Sequence, residues 1–453
     1  MTRPDRQPDV VISGRFERGE ERRYVHLPFT VPAGVRQVHL RYDYNDRISS
    51  DPVLEGGNTL DAGLFDEQGI ASGGPGFRGW SGSERLAFTI DEHWATPPYR
   101  SGPIGAGVWH VLLGPYKIGP RGLDYRVEIW FNAGLPPEVP EIVLREPRMR
   151  AQVPAAAEPG WVRGDLHCHS LYSDGDSWPS ELLVRAAELG LDFLAITDHN
   201  SAQFPKRPDD PPGLPFLLHG IEVTTYGGHW NVWGLREWFD FRDPTAAGVA
   251  AEMRRAIAAG GFVSINHPRP WGPDWHYEGI EVNHAVEVWN GPWDHLNPVC
   301  AAFWEDQISR GRRVVAVGGS DTHELRGAGE GLLPPPKLAE PTTWIHVGPR
   351  LDAASLLAGL RAGRCFVSAS PRGPQLYCRK IEGGMTVRVV GGDGAKLEVL
   401  AGATVIAERA VMGGDWSETV EIAEQAPYVR AQVVNEKGNV LAFANPMWAD
   451  GHE

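Results

Sequence analysis

Between residues 161 and 370, and nowhere else in the chain, apolar runs of strand length take turns with helical stretches. The runs are GDLHCHS, LDFLAITDHN, PFLLHGIEVTT, GFVSINHP, AVEVWNG and RVVAVGGSDTH. Between and after them lie SWPSELLVRAAELG, DPTAAGVAAEMRRAIAAGG, NPVCAAFWEDQISRG and LDAASLLAGLRAG. Pro179 suits a first helical turn and Gly190 a stop, and the second stretch is bounded by Asp243-Pro244 and Gly260-Gly261. A strand, a helix and a further strand return the chain to the same sheet in the same direction. This grammar therefore predicts a parallel sheet, open or closed into a barrel.

On either side the period changes to two. VVISGRF, RYVHLPFTV, VRQVHLRYDY, ERLAFTI, VWHVLLGPY and DYRVEIWF, punctuated by Gly, Pro and Asp, predict an N-terminal β-sandwich. Residues 135–160 are Pro-rich and read as a linker. GMTVRVVGG, SETVEIAE and YVRAQVVNEKGNVLAFANPMW predict a small C-terminal β-sandwich after Pro371. The expected units are 1–155, 156–370 and 371–453.

The charge balance narrows the class of partner. Lys and Arg number 43 against 58 Asp and Glu, a net charge of -15, which argues against a partner recognised through its phosphate backbone. No run of 18 apolar residues is present, and MTRPDRQPDVVISGRF lacks the apolar centre of a secretory signal, so a cytoplasmic location with no membrane contact is expected. The four cysteines form no CxxC pair and read as reduced thiols rather than a zinc cage.

Histidine carries the chemistry. Ten of the sixteen histidines fall between residues 167 and 323. His167 and His169 close the first central run, Asp198 and His199 the second, Glu222 the third, His267 the fourth, and Asp321 and His323 the last. The carboxyl ends of parallel strands converge on one face of a barrel, so residues far apart in sequence can share a pocket there. His-x-His on a strand sends both rings to the same side and makes a two-toothed clamp. One such residue alone reads as packing; five strands ending this way point to a metal centre, and mixed imidazole and carboxylate donors suit zinc, manganese or iron.

HCHSLYSDG, ITDHN, GIEVTTYGGHWN, INHP and GGSDTH, in that order, resemble the motifs of the PHP (polymerase and histidinol phosphatase) superfamily over about residues 165–370. GHWN after the glutamate, with the β-rich flanks, resembles its carbaryl-hydrolase subgroup. The resemblance implies a distorted (β/α)7 barrel holding two or three divalent ions. It implies that His167, His169 and Asp321 hold one ion, and that Glu222 bridges to a second on His229 and His267. Asp174, His199 and His323 would hold a third, Asp174 standing where many members have histidine. It further implies hydrolysis by a metal-bound hydroxide, of phosphomonoesters or phosphodiesters, with carboxylic or carbamic aryl esters as the alternative and a non-catalytic metal-containing binding protein as a third reading.

Beside the ligands, Asp198 reads as a proton carrier or as a turn residue, and His199 as catalytic as well as ligating. Arg269, with Lys206 and Arg207, is placed to grip an anionic group, solvated loop charge being the plainer reading. Trp230, Trp271, Trp275, Trp289 and Trp293 would favour an aryl-bearing small-molecule ester if they line the pocket. Cys168 reads as a buried hydrophobe and His219 as packing; His276, His284, His295 and His346 have no motif around them.

Overall fold

The computed structural model describes residues 3–135, 153–205, 213–270, 274–326, 335–422 and 426–449. Eight N-terminal strands form two antiparallel sheets. One is ordered β1 (Val10–Phe16), β8 (Leu123–Phe131), β3 (Gln37–Tyr44), β6 (Ala87–Asp91), the other β2 (Val25–Val31), β7 (Gly107–Lys117), β4 (Thr59–Phe65), β5 (Phe77–Gly82). Val38, Leu40 and Tyr42 from the first sheet share a core with Leu60, Ala62, Leu64, Val111 and Leu113 from the second. Alternation turns the next residues outward, and Phe65, Phe77, Trp80 and Leu112 join the apolar core of the central region instead. The N-terminal unit is thus docked by a buried face.

The central elements are β9 (Trp161–Asp165), α1 (Pro179–Glu188), β10 (Phe193–Ile196), β11 (Phe216–Thr225), β12 (Gly228–Trp233), α2 (Ala246–Ala258) and β13 (Phe262–Ile265). They continue with β14 (Ala285–Asn290), α3 (Asn297–Ser309), β15 (Val315–Gly319), β16 (Thr342–His346), α4 (Ala353–Arg361) and β17 (Cys365–Ser368). All four helical stretches form helices, each stopped where the sequence offers glycine next to the last turn. The pairs β9–β10, β10–β11, β13–β14 and β14–β15 are parallel.

A purely parallel sheet is not what forms. GHWNVW, which is not among the runs expected as strands, is strand β12, antiparallel to both β11 and β13. Tyr226-Gly227 is all that joins it to β11, too short for a crossover, so the chain turns back as a hairpin. Among the described residues only α1, α2 and α3 intervene between the seven strands β9–β15, fewer helices than regular strand–helix alternation supplies.

The ends of this seven-strand run meet. Cys168 bridges Thr322, with His169 N–H donating to Thr322 O at 2.9 Å and Asp321 N–H to His167 O at 2.8 Å. The segments following β9 and β15 are therefore neighbours.

The C-terminal strands are β18 (Gln375–Ile381), β19 (Gly384–Val390), β20 (Lys396–Ala401), β21 (Thr404–Ala410), β22 (Asp415–Glu421), β23 (Tyr428–Val434), β24 (Val440–Ala444) and β25 (Met447–Trp448). A β18-β19-β22 sheet packs on β24-β23-β20-β21 through Leu376, Val387, Leu397, Val399, Ala431 and Val433. β24 also pairs with β17, so hydrogen bonding runs unbroken from the central sheet into the C-terminal one. No helix of the described residues is long and apolar enough to cross a membrane.

Candidate metal centre and its cavity

His167 and His169 follow β9 and project to the same side, their Nε2 atoms 3.1 Å apart. Nε2 of His167 is 3.4 Å from Glu222 Oε2 and 3.3 Å from Asp321 Oδ1; for Nε2 of His169 the distances are 3.4 and 3.0 Å. Glu222 comes from the middle of β11 and Asp321 from the turn after β15. Nδ1 of His167 lies 2.9 Å from Glu287 Oε1 on β14, which fixes the proton on Nδ1 and leaves Nε2 with its lone pair facing the cluster. Two imidazole nitrogens and two carboxylate oxygens thus converge on one point, and the buried Glu222 Oε2 also lies 2.8 Å from His199 Nδ1. Lone pairs so arranged repel one another unless a cation lies among them, and the donor types suit zinc, manganese or iron.

Three overlapping groups have donor atoms within 4.8 Å of one another: His167, His169, Glu222 and Asp321; His169, Asp174, His199 and His323; and His199, Glu222 and His229. Nε2 of His267 is 3.2 Å from Glu222 Oε1 and 4.0 Å from Asp321 Oδ2, on the border between the first and third groups. His323 Nδ1 is 2.9 Å from the Asp321 carbonyl and His199 Nδ1 2.5 Å from Thr224 Oγ1, contacts that orient both rings.

The electrostatics are those of a ligand cage. Burial would raise Glu222, but His167, His229 and His199 hold its carboxyl well below the usual range. Burial would lower His167, but Glu287, Asp321 and Glu222 lift it well above its ordinary value. Burial, with His323 and His199, pulls His169 down to about 3, and His229 falls to about 4, mainly through burial. Asp174 and Asp321 stay ionised against burial because histidines surround them.

Two of these residues carry backbone strain. His267 has φ 28° and Asp321 φ 56°, left-handed values that cost a β-carbon residue about 1–3 kcal/mol. Glu287 Oε2 accepts the His267 N–H at 3.2 Å, so the carboxylate that orients His167 also holds the strained turn.

Residues 165–257, which include six of these donors, match the PHP domain. The chain carries a PHP domain. Curated relatives match it over short stretches. An error-prone DNA polymerase of Cutibacterium acnes (strain DSM 16379 / KPA171202) is 60% identical over 38 residues, 8% of this chain and 3% of the polymerase. One from Nocardia farcinica (strain IFM 10152) is 41% identical over 58 residues, 12% of this chain and 5% of that one. A solved structure from Bacteroides vulgatus ATCC 8482, a two-domain protein described as containing a predicted PHP-like metal-dependent phosphoesterase, is 18% identical. It covers 66% of this chain and 99% of its own, with a TM-score of 0.39.

A cavity of about 620 Å³ opens over Asp174, His199 and His229 of the PHP domain. Its opposite wall is N-terminal: Asp61, Trp80, Glu84 and Tyr116 line it, and Tyr226 of the PHP domain donates its hydroxyl to Asp61 Oδ2 at 2.7 Å. Nothing in the N-terminal sequence marks these residues, because they are brought to the cavity by the docked sheet face.

Asp198 and Arg269 turn away from the donors. Asp198 accepts from Ser170 N–H and Ser170 Oγ at 2.7 Å and Ser173 Oγ at 2.9 Å, tying down the loop after His169; burial pushes its carboxyl up to about 6. The buried Arg269 guanidinium donates to Asn290 and His295 carbonyls and to Asn290 and Asn297 side chains. Lys206, Arg207 and Trp271 lie outside the described residues. Trp230 and Trp289 are buried in the core and Trp275 and Trp293 pack against it, while Trp80 lines the cavity. Cys168 is buried, and His219 is half-buried beside Arg236. His276, without a motif, lines the cavity rim. Glu287, Asn290, Asn266 and Thr224, all touching ligands, were passed over; the signal was a glutamate inside the otherwise apolar run AVEVWNG.

Proposed function

We propose that this chain is a metal-dependent hydrolase of phosphomonoesters or phosphodiesters. The observation that carries the reading is the set of three overlapping donor groups, two of which reach one cavity through Asp174, His199 and His229. His167, His169 and Asp321 would hold one ion, and Glu222 would be shared with a second on His229 and His267, His199 being within reach. Asp174, His199 and His323 would hold a third, with His169 against them. Zinc, manganese or iron in these positions would acidify a water and take up charge on the ester oxygens.

The chain's own part is orientation and enclosure. Glu287 and Thr224 orient the rings of His167 and His199, Asn266 donates to Glu222 Oε1 at 2.8 Å, and the Asp198-anchored serine loop holds His169 in place. The N-terminal wall limits water and shapes the alcohol portion of the substrate. Carboxylates on that wall support a small-molecule substrate in preference to nucleic acid, in keeping with a cytoplasmic enzyme.

Chelation should abolish turnover of p-nitrophenyl phosphate and of bis(p-nitrophenyl) phosphate, and zinc, manganese or iron should restore it; full activity in verified metal-free protein would overturn the reading. The rings of Trp80, Tyr116 and Tyr226 in the cavity favour a second reading, an aryl carboxylic or carbamic ester substrate as in the carbaryl-hydrolase subgroup. A tenfold preference for p-nitrophenyl acetate, about 1.4 kcal/mol in the transition state, would select it.

A further inference from the structure

A second cavity lies apart from the one over the histidines. It measures about 690 Å³ and sits between α4, β17 and the C-terminal strands, at the amino ends of β9 and β15, away from the ligand cluster. Arg313, Arg361, Arg364, Arg379 and Lys380 line it, against the single carboxylate of Glu158, in a chain whose net charge is -15. Like charges gathered in one hollow repel, and a lining of this sign focuses a field that draws anions in.

Lys380 Nζ donates to the Trp448 and Ala449 carbonyls at 2.9 and 2.6 Å, and some of the other cations are held in part. Glu158 pairs with Arg379 at 2.7 Å, and Arg361 donates through one nitrogen to Gly260 O at 2.6 Å. Arg313 lies over the Trp448 ring at 4.3 Å. Arg364 makes no side-chain hydrogen bond or ion pair among the described residues, and Nδ1 of His346, also in the lining, is buried without a partner. Burial and the neighbouring Arg364 hold His346 below its ordinary range, in line with a positive local field. Trp161 and Phe366 supply apolar wall.

We infer that this cavity is a second binding site, for a small molecule carrying a phosphate or polyphosphate group. Guanidinium groups grip such oxyanions in pairs, and the volume is within the range of small-ligand pockets. The site is independent of the hydrolase reading, since it shares no residue with the metal centre.

Calorimetric titration of chelator-treated protein at low salt tests it, because no ion then offers a rival receptor. Inorganic phosphate, a nucleoside diphosphate and citrate are the probes. The diphosphate should bind, phosphate more weakly, and citrate least; equal binding of citrate would make it a general anion site and overturn the phosphate assignment. Arg364→Glu and, separately, the exposed Arg379→Ala should weaken diphosphate binding at least tenfold, with circular dichroism unchanged. Hydrogen exchange should slow at residues 361–366 and 376–380 on binding. Absence of binding at millimolar diphosphate, or binding unaffected by both substitutions, would sink the proposal.

Discussion

Glu287 does two things at once: its Oε1 orients His167 and its Oε2 holds the strained His267 turn. Residues that orient a metal ligand typically change affinity by about 10- to 100-fold when altered. Glu287→Gln should therefore weaken ion binding by that order while the protein stays folded, as read by competition with a chelating dye; unchanged affinity would show that the contact does not orient His167. Asp174 is the weakest member of its group, a partly exposed carboxylate facing His199 at 3.6 Å and His323 at 3.4 Å. Protein saturated with manganese or zinc should approach three ions per chain and fall toward two in Asp174→Ala. A plateau at two in both proteins would leave Asp174 and His199 as groups beside a dinuclear centre.

The strand ends can carry ligands only because neighbouring strands approach closely where they must. A Cβ on Gly319, the last residue of β15, would lie 2.3 Å from His167 Cβ and 2.8 Å from its backbone nitrogen, neither of which can swing aside. Gly319→Ala should lose the ion held by His167, His169 and Asp321, and lose stability by about 1–3 kcal/mol as for other overpacked sites. Gly414, with nothing within 4 Å of an added Cβ, supplies the control: Gly414→Ala should shift a urea midpoint little. Equal, small effects in both would mean that β15 has room to move. The hairpin β11–β12 shows the same dependence on local geometry, since its two-residue turn sets Glu222 and His229 near each other with Glu222 Oε1 3.2 Å from His229 Nδ1.

Across the whole molecule the N-terminal sheets and the PHP domain share an apolar core, and Asp61 lies at that junction. Burial pushes its carboxyl up to about 7, Tyr226 pulling the other way. Its proton is held more tightly in the folded chain than in the unfolded one, so folding takes up a proton between the unfolded value near 4 and the folded one near 7. Stability from this group is complete below that window and declines as pH rises through it. At about 1.4 kcal/mol per unit the loss amounts to a few kcal/mol at most. Urea unfolding of the parent should weaken from pH 4.5 to pH 7.5 by more than that of Asp61→Asn; parallel profiles would mean Asp61 titrates normally.

The local features were legible in the sequence because they depend on neighbours along the chain. His167 and His169 sit together by strand alternation, the four helices by their periodicity and caps, and the two sheet-rich flanks by their period of two. Tertiary structure alone decided what depends on distant pairs. His167 meets Glu287 across 120 positions and Asp61 meets Tyr226 across 165. The reversal of β12, the meeting of Cys168 with Thr322, the N-terminal wall of the cavity and the gathering of Arg313, Arg364 and Arg379 in one hollow share that origin. Periodicity specifies which face of an element is buried; which surface covers it is set by packing between elements, and no spacing in the sequence records that.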